Sequence, residues 1–183
     1  REIKFDLLES GHSVSHVHEE EDLSSADFCF YLSFSKVVSE STLNLFRHNV
    51  VVHSSDLPEG RGWSPLTWQI LEGKNEIPTV LFEASEKVDS GKIYLKQTIR
   101  FEGHELLEEM RDAQGRLIVK MVKNFVEGHP ESLVKGLEQS GKGSYYPRRR
   151  PVDSKVDPDS SLRQIFLQLR VADNDSYPVF FEL

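Results

Sequence analysis

Two nearly continuous apolar runs limit what this chain can fold into. Residues 28–32 and 50–52 show no alternation of polar and apolar side chains, which is typical of strands buried on both faces of a parallel sheet. His53 follows the second run directly, so we expect it at the end of a buried strand. Open α/β sheets bind ligands beyond the carboxyl ends of their strands, which makes His53 a candidate site residue.

Hydrophobic periodicity and turn residues predict the remaining elements. An amphipathic helix ends at Gly11, and we expect that an N-terminal strand precedes it in the natural protein. Further helices are predicted after the cap Ser39 and over residues 63–72, 104–126 and 160–169, and further strands over residues 12–18, 78–84 and 92–101. The sequence therefore predicts an α/β protein whose mostly parallel sheet has helices on both faces. We assign residues 1–128 to the core and 129–183 to a C-terminal extension.

Composition excludes several classes of function. The 183 residues include 22 basic and 30 acidic side chains, and the net charge of −8 disfavours general binding to nucleic acid. Cys29 is the single cysteine, so neither an intramolecular disulfide nor a multi-cysteine zinc site can form. The sequence contains no apolar run of about 18 residues, the length that a membrane-spanning helix needs. We therefore expect a cytoplasmic protein without a membrane or nucleic-acid partner.

The most specific motif begins at the end of the second apolar run. Its parts are, in order, the strand-end His53, the turn Leu57-Pro58, Arg61-Gly62, a helix opened by Pro65 that contains Trp68-Gln69-Ile70-Leu71, and Asp89-Ser90-Gly91 on a later loop. In order and spacing, residues 26–96 resemble the formyltransferases that use 10-formyltetrahydrofolate, a family that acts on methionyl-tRNA, glycinamide ribonucleotide or nucleotide-linked sugars. The resemblance implies a Rossmann-like formyltransferase fold with 10-formyltetrahydrofolate as the formyl donor.

The same resemblance implies roles for His53 and Asp89. His53 would shuttle a proton or stabilise the oxyanion, and Asp89 would position His53 or accept a proton from the attacking amine. These residue types suit the chemistry, because formyl transfer needs a neutral amine, a stabilised tetrahedral oxyanion and proton transfers at nitrogen. Ser54 and Ser55 lie outside any Gly-x-Ser-x-Gly nucleophile elbow, so serine hydrolase chemistry is not predicted.

One position departs from the family pattern. The family has an asparagine two residues before its catalytic histidine, where this chain has Val51. Asn49 lies on the same face of the strand but about 13 Å from His53, too far to do the same work. We expect Ser54, Ser35, a backbone N–H or a water to act instead, or a rate lowered about 100- to 1000-fold by the loss of one oxyanion donor.

The resemblance also implies where the substrates bind. Backbone groups would hold the folate at Phe34, Ser35, Lys36 and Val37 on one side and at Phe82, Glu83, Ala84 and Val88 on the other. The residues from 145 to 181 are similar to the C-terminal part of bacterial sugar N-formyltransferases of the pseudaminic-acid type, which implies an amino-sugar acceptor, nucleotide-linked, in surface-glycan biosynthesis. Trp63 would line the acceptor site, to which the extension contributes. Arg148, Arg149 and Arg150 would hold a diphosphate, with a solvated surface run as the alternative.

Several alternatives remain open. Other acceptors are a glycinamide ribonucleotide-like amine, an aminoacyl group on a carrier, and water. A catalytically silent homologue that binds folate or a sugar nucleotide is the alternative that Val51 supports. A homodimer is common among sugar formyltransferases. His16 and His18, beside the acidic residues 19–22, predict a solvated loop rather than a metal site.

Overall fold

The fold is built around a four-stranded sheet. The computed structural model of the protein describes residues 2–34 and 36–182. In chain order its elements are α1 (Glu2–Glu9), β1 (Ala26–Tyr31), α2 (Glu40–Leu43), β2 (Phe46–His53), β3 (Arg61–Gly62), α3 (Pro65–Leu71), β4 (Glu76–Glu83), β5 (Ile93–Arg100), α4 (Leu107–Glu127), α5 (Glu131–Val134), β6 (Tyr145–Tyr146) and α6 (Leu162–Arg170). The main sheet has the strand order β1-β2-β4-β5, and β3 pairs with β6 in a second, two-stranded sheet.

The main sheet is mixed, whereas the sequence predicts a mostly parallel one. β1 and β2 are parallel, but β4 runs antiparallel to both β2 and β5. The prediction from the apolar runs is confirmed for the β1–β2 pair, which contains both runs. It is wrong only for β4: β5 is antiparallel to β4 and therefore points in the same direction as β1 and β2. The short connection at residues 84–92 explains the antiparallel β4–β5 pair, because a parallel pair needs a long crossover.

The predicted helix at the start of the chain is confirmed, and the predicted strand after it does not form. α1 ends just before Gly11, which has φ +85°, and the His12 N–H donates to the Leu7 carbonyl oxygen at 3.0 Å. Residues 12–18 have no regular secondary structure, and most of them are exposed. Neither β1 nor β5, the two edges of the main sheet, pairs with this segment.

The core lies on both faces of the main sheet. On one face, Val50 and Leu81 pack against Met121, Val122 and Phe125 of α4, and all five are fully buried. On the opposite face, Val80 and Phe82 pack against Leu57, in the loop that follows β2. Since that loop contains the turn of the motif, its position is set by burial of an apolar side chain at the carboxyl end of β2.

The long helix α4 forms close to its predicted bounds. It runs from Leu107 to Glu127 against an expected 104–126, and Gly115 does not interrupt it. Met110, Met121 and Phe125 form its buried stripe, as the helical period predicts. None of the helices in residues 2–34 and 36–182 is both long and apolar enough to cross a membrane.

The C-terminal extension packs back onto the core. β6 pairs with β3 in parallel, and α6 packs against α3. Arg170 at the end of α6 is 1% exposed; its guanidinium donates to the Asn75 side chain at 2.9 Å and lies 3.4 Å from the Glu105 carboxylate. Burial lowers the pKa of Arg170, and the Glu105 charge opposes this shift. A buried cation with a partner on the core holds the extension in one orientation.

An ion pair between the extension and α4 makes stability depend on pH. Arg111 Nη2 lies 2.6 Å from Asp173 Oδ2, and this hydrogen bond lowers the pKa of Asp173. A folded-state pKa below the unfolded value stabilises the fold above the unfolded pKa, and the contribution disappears as pH falls through the folded pKa. We expect Asp173→Asn to lower the free energy of unfolding by about 1 kcal/mol at pH 7 and by less at an acidic pH below the folded-state pKa of Asp173.

Urea unfolding at the two pH values measures this effect. Asp175→Asn is the matched control, because Asp175 is exposed and its carboxylate has no ion pair with a described residue. Equal losses for Asp173→Asn at both pH values would contradict the prediction.

Candidate active site

His53 ends β2 in a buried position, 8% exposed. Its Nε2 lies 2.8 Å from the carbonyl oxygen of Gly60. Because a carbonyl only accepts, this hydrogen bond places a proton on Nε2. Nδ1 forms no hydrogen bond with any described residue, so in the neutral ring Nδ1 carries the lone pair that can accept a proton.

Asp89 lies beside His53, on the loop between β4 and β5. Its Oδ2 is 4.0 Å from His53 Nε2 and accepts a hydrogen bond from the Gly62 N–H at 2.8 Å. A hydrogen bond to a carboxylate is charge-assisted and about twice as strong as a neutral one. The Asp89 side chain is mostly buried, like that of His53. The structure therefore brings the two predicted catalytic residues together, and an imidazolium at His53 would face a carboxylate.

Two glycines allow close backbone approaches at this site. Gly62 has φ +95°, and a Cβ there would lie 2.5 Å from the Tyr146 carbonyl oxygen. A Cβ on Gly91 would overlap the Glu83 carbonyl oxygen. Only glycine fits these two positions, which gives a physical reason for the Arg-Gly and Asp-x-Gly parts of the motif.

Arg61 and Gln139 hold the backbone of the Asp89 loop. The Asp89 carbonyl oxygen accepts hydrogen bonds from Arg61 Nε at 2.9 Å and from Gln139 Nε2 at 3.0 Å. Gln139 Nε2 also donates to the Gly91 carbonyl oxygen at 2.9 Å, and Gln139 Oε1 accepts from Arg61 Nη2 at 2.7 Å. Asp89 has φ +49°, a conformation that a residue other than glycine keeps only when its surroundings hold it.

Sequence reasoning missed Gln139 and Ser144. Both belong to the extension, and Ser144 Oγ accepts a hydrogen bond at 2.8 Å from the N–H of Gly60, 84 positions earlier in the chain. The parallel pairing of β6 with β3 places them at the site. Residues 136–144 are polar and rich in glycine, so no local pattern distinguishes these two side chains from those of an ordinary loop.

Position 51, where the family has its asparagine, is apolar in three dimensions as well. Val51 packs against the cluster of Leu57, Val80 and Phe82, on the face of β2 that also carries His53. Alternate residues of a strand share a face, so the position has the orientation that an oxyanion donor would need. The side chain that occupies it cannot donate a hydrogen bond.

Among the side chains considered as replacements for that asparagine, Asn49 is engaged elsewhere. Asn49 Oδ1 accepts from the Tyr31 hydroxyl at 2.9 Å, and Asn49 Nδ2 donates to the Leu43 carbonyl oxygen at 2.9 Å. Ser54 Oγ accepts from the Gln114 amide of α4 at 2.7 Å, which leaves its own hydroxyl proton to be donated. Ser35 lies outside the described residues. Ser54, a backbone N–H and a water therefore stay as the donors proposed from the sequence.

The first loop predicted to bind folate is largely exposed. Val37 is 71% exposed, Lys36 forms an exposed ion pair with Glu19 at 3.4 Å, and the Phe34 ring lies 5.7 Å from that of Tyr31. The predicted contact at Ser35 lies outside the described residues.

The second predicted folate segment is divided between support and surface. Phe82 is buried, and its ring lies edge-on to that of His53 with centroids 6.4 Å apart. Glu83 accepts hydrogen bonds from the Asn49 N–H at 2.6 Å and the Tyr94 hydroxyl at 2.7 Å. The Ala84 N–H donates to the Asn49 carbonyl oxygen, and Val88 is 47% exposed. The side chains of Phe82 and Glu83 therefore support the site, and Val88 is the member with an accessible side chain.

The predicted diphosphate-binding arginines do not form one cationic surface. The Arg148 guanidinium lies 5.0 Å from the centre of the Trp63 ring. Two of the residues predicted to bind the acceptor are therefore in contact with each other. Arg150 is exposed, 3.6 Å from Asp153. Arg149 is 7% exposed, donates to Ser154 and the Val171 carbonyl, and lies over the Tyr177 ring. Burial lowers its pKa. The predicted phosphate contact at Arg149 is wrong, because its guanidinium is enclosed by the extension.

The two histidines near the acidic loop lie close together. The rings of His16 and His18 have centroids 4.7 Å apart. Within the described part of the chain, no group of three or more His, Cys, Asp and Glu side chains is arranged to hold a metal ion.

Comparison with known proteins relates this geometry to a family. A family model described as formyl transferase matches residues 7–122. The methionyl-tRNA formyltransferase of Sulfurihydrogenibium sp. (strain YO3AOP1) is 24% identical over 149 residues, which are 79% of this chain and 47% of the relative. The chain thus spans about half the length of the curated relatives it matches.

Two solved structures are similar to this one. HypX from Aquifex aeolicus in complex with tetrahydrofolic acid has a TM-score of 0.77 and 18% identity, covering 99% of this chain and 33% of that chain. A sugar N-formyltransferase from Shewanella sp FDAARGOS_354 has a TM-score of 0.65 and 16% identity, covering 86% of this chain and 65% of that chain. These likenesses confirm the predicted α/β, Rossmann-like fold.

Proposed function

The chain belongs to the formyl transferase family, and we propose that it transfers a formyl group from 10-formyltetrahydrofolate to a primary amine. The single observation that carries this proposal is the pair of His53 and Asp89, 4.0 Å apart and both mostly buried at the carboxyl end of β2. Acid–base chemistry at nitrogen requires a group that accepts and returns a proton, and a buried histidine beside a carboxylate can do this.

The tautomer of His53 determines how the pair works. The Gly60 carbonyl keeps the proton on Nε2, so Nδ1 is the basic nitrogen that takes a proton from the amine as its nitrogen attacks the formyl carbon. The resulting imidazolium is stabilised by the Asp89 carboxylate, whose position is fixed by the Gly62 N–H. The same proton is then available for the departing nitrogen of the donor. His53 thus moves one proton, and Asp89 keeps the ring oriented and lowers the energy of its charged form.

We propose further that the amine belongs to a nucleotide-linked amino-sugar. The net charge of −8 disfavours a polyanionic acceptor such as tRNA, which needs a basic surface. Trp63 under the Arg148 guanidinium offers a flat aromatic surface with a cation, a combination suited to a sugar ring. The fold shared with a sugar N-formyltransferase is consistent with this acceptor class.

Aminoacylated tRNA is the second candidate acceptor. The observation in its favour is that curated relatives similar in sequence carry the name methionyl-tRNA formyltransferase. A glycinamide ribonucleotide-like amine and a carrier-bound aminoacyl group need the same catalytic pair, and a silent binding homologue would retain the site without turnover.

Formyl transfer itself tests the proposal. The protein is incubated with 10-formyltetrahydrofolate and, separately, nucleotide-linked amino-sugars, glycinamide ribonucleotide and methionyl-tRNA, and mass spectrometry detects the gain of one formyl group. We expect formylation of an amino-sugar. Formylation of methionyl-tRNA alone would replace the acceptor assignment, and folate binding without formyl loss in any arm would favour the silent homologue.

The hydrogen bonds of Gln139 predict a positioning role. Because Gln139 links the Asp89 loop to Arg61, Gln139→Ala is expected to lower kcat about 10-fold and leave KM for the donor unchanged. Gln139→Glu keeps the acceptor atom for Arg61 but loses the amide that donates to the loop, so its kcat should also fall. The control is Gln164→Ala, in the exposed first turn of α6. A kcat for Gln139→Ala equal to that of this control would refute the role.

A further inference from the structure

A pocket beside the Asp89 loop shares Val88 with the second predicted folate segment, and Arg61 and Ser144 with the support of the site. Its volume is about 690 Å³, and it is lined by Arg61, Lys87, Val88, Gly143, Ser144 and Tyr145. A volume of this order is typical of small-molecule sites. Lys87 and Val88 directly precede Asp89, so the pocket adjoins the catalytic carboxylate along the chain.

The pocket approaches Asp89 from a second direction through Tyr145. The Tyr145 ring packs so closely on Gly62 that a Cβ at position 62 would lie 2.7 Å from it. Gly62 is the residue whose N–H holds the Asp89 carboxylate. A molecule in the pocket would therefore lie beside Val88, which precedes Asp89 in the chain, and beside Tyr145, whose ring packs on Gly62. Asp89 and Gly62 are the acceptor and the donor of the hydrogen bond that fixes the Asp89 carboxylate.

The pocket is cationic within an acidic protein. Arg61 and Lys87 line it, and none of its lining residues is acidic. Neither cation forms an ion pair with a described residue, although the net charge of the chain is −8. The hydrogen bonds of Arg61 go to the Asp89 carbonyl and the Gln139 amide, which are neutral acceptors. Two cations that face one cavity without a counter-charge favour an anionic ligand.

Hydrogen-bond donors are available at the same place. Arg61 uses Nε and Nη2 to hold the loop, and its Nη1 has no partner among the described residues. The Lys87 ammonium likewise forms no hydrogen bond there. Ser144 Oγ accepts from the Gly60 N–H, so its own proton can be donated. A guanidinium, an ammonium and a hydroxyl are the donors that phosphate oxygens commonly receive.

Tyr145 adds an aromatic surface to this set of donors. Its side chain is 60% exposed, and the ring atoms nearest to Gly62 are at the ring edge. An open aromatic face beside phosphate donors suits a sugar or a base attached to the phosphate. The arrangement distinguishes the pocket from a surface that would bind only free ions.

We propose that this pocket binds the phosphate or diphosphate of a phosphorylated acceptor, through Arg61, Lys87 and Ser144, with the attached sugar against Tyr145. The identity of the ligand as an acceptor rests on the proposed function. The assignment replaces the sequence-based one, which gave the diphosphate to residues 148–150. Because the pocket adjoins Asp89, an acceptor whose phosphate is bound there would have its amine near His53 and Asp89.

Binding is tested separately from turnover, with uridine diphosphate as the probe. Calorimetric titrations of the full chain with uridine diphosphate and with tetrahydrofolate are compared for the wild type, Lys87→Ala and Lys120→Ala. Lys120 is an exposed lysine on α4, outside the pocket. We expect Lys87→Ala to raise the Kd for uridine diphosphate about 10-fold, the loss of one charged hydrogen bond, and to leave the Kd for tetrahydrofolate unchanged. Lys120→Ala should change neither.

Each other outcome overturns the proposal in a recognisable way. Absent binding of uridine diphosphate, or equal affinities for wild type and Lys87→Ala, would show that the pocket does not hold the phosphate. A weaker affinity of Lys87→Ala for tetrahydrofolate alone would assign the pocket to the glutamate carboxylates of the donor. Binding of uridine diphosphate that depends on Lys87, with no formyl transfer to any amine, would instead refute the proposed function and leave the phosphate site in place.

Discussion

His53→Asn is expected to lower the rate of formyl transfer about 100- to 10,000-fold, the range that a positioned general base contributes. The reason is the geometry of Nδ1, which is basic because the Gly60 carbonyl fixes the proton on Nε2. Asparagine offers no group that accepts a proton near neutral pH, and its amide, which ends where Nδ1 lies in histidine, is too short to replace the Nε2 hydrogen bond to Gly60. Product formation is measured by mass spectrometry under single-turnover conditions, so that slow binding does not obscure the chemical step.

Two further variants separate catalysis from folding in this test. Asp89→Asn retains an oxygen that can accept from the Gly62 N–H but removes the charge beside the imidazolium, so its rate should fall while the fold is kept. His104→Asn, at an exposed histidine before α4, should keep the wild-type rate. If His53→Asn is folded by circular dichroism and turns over at the wild-type rate, the assigned base is wrong.

The sequence predicted the positions of His53 and Asp89 because the signals for them are local. A buried strand shows as an apolar run, and the residue that ends it is placed at the sheet edge by the strand itself, which is how His53 could be identified. Glycines at Gly62 and Gly91 are required by close backbone contacts, so the motif around them is specific. Asp89 follows from the same motif, and the structure places it beside His53.

The sequence could not predict contacts that depend on chain pairing. The short connection makes β4 and β5 antiparallel, but hydrophobic pattern carries no information about which of the two strands runs opposite to β2. Gln139 and Ser144 reach the site through the β3–β6 pairing, which joins two-residue strands from distant parts of the chain. Arg149 is part of a run of three arginines, yet burial against Tyr177 separates it from its neighbours, and only tertiary packing determines that.

Val51→Asn is expected to raise kcat about 100-fold, the lower end of what one oxyanion donor contributes. Position 51 is two residues before His53 and packs on the same face of β2, so an amide there would point towards the carbonyl oxygen that becomes negative. The substitution also places a polar group against Leu57 and Phe82, which should lower the free energy of unfolding by about 1–3 kcal/mol. A gain in kcat together with a loss of stability is the pattern expected of a functional group that packing does not favour.

Val51→Leu is the control for this experiment, because leucine is close to asparagine in shape and has no amide. It should leave kcat unchanged or lower. Equal kcat values for Val51→Asn and the wild type, with both proteins folded, would mean that a backbone N–H or a water already stabilises the oxyanion, because a second donor then adds little. Since Asn49 is bound to other groups, a gain in rate would instead show that the wild-type site works without a side-chain oxyanion donor on β2. The comparison therefore decides whether Val51 is a compensated substitution or the cause of a slow enzyme.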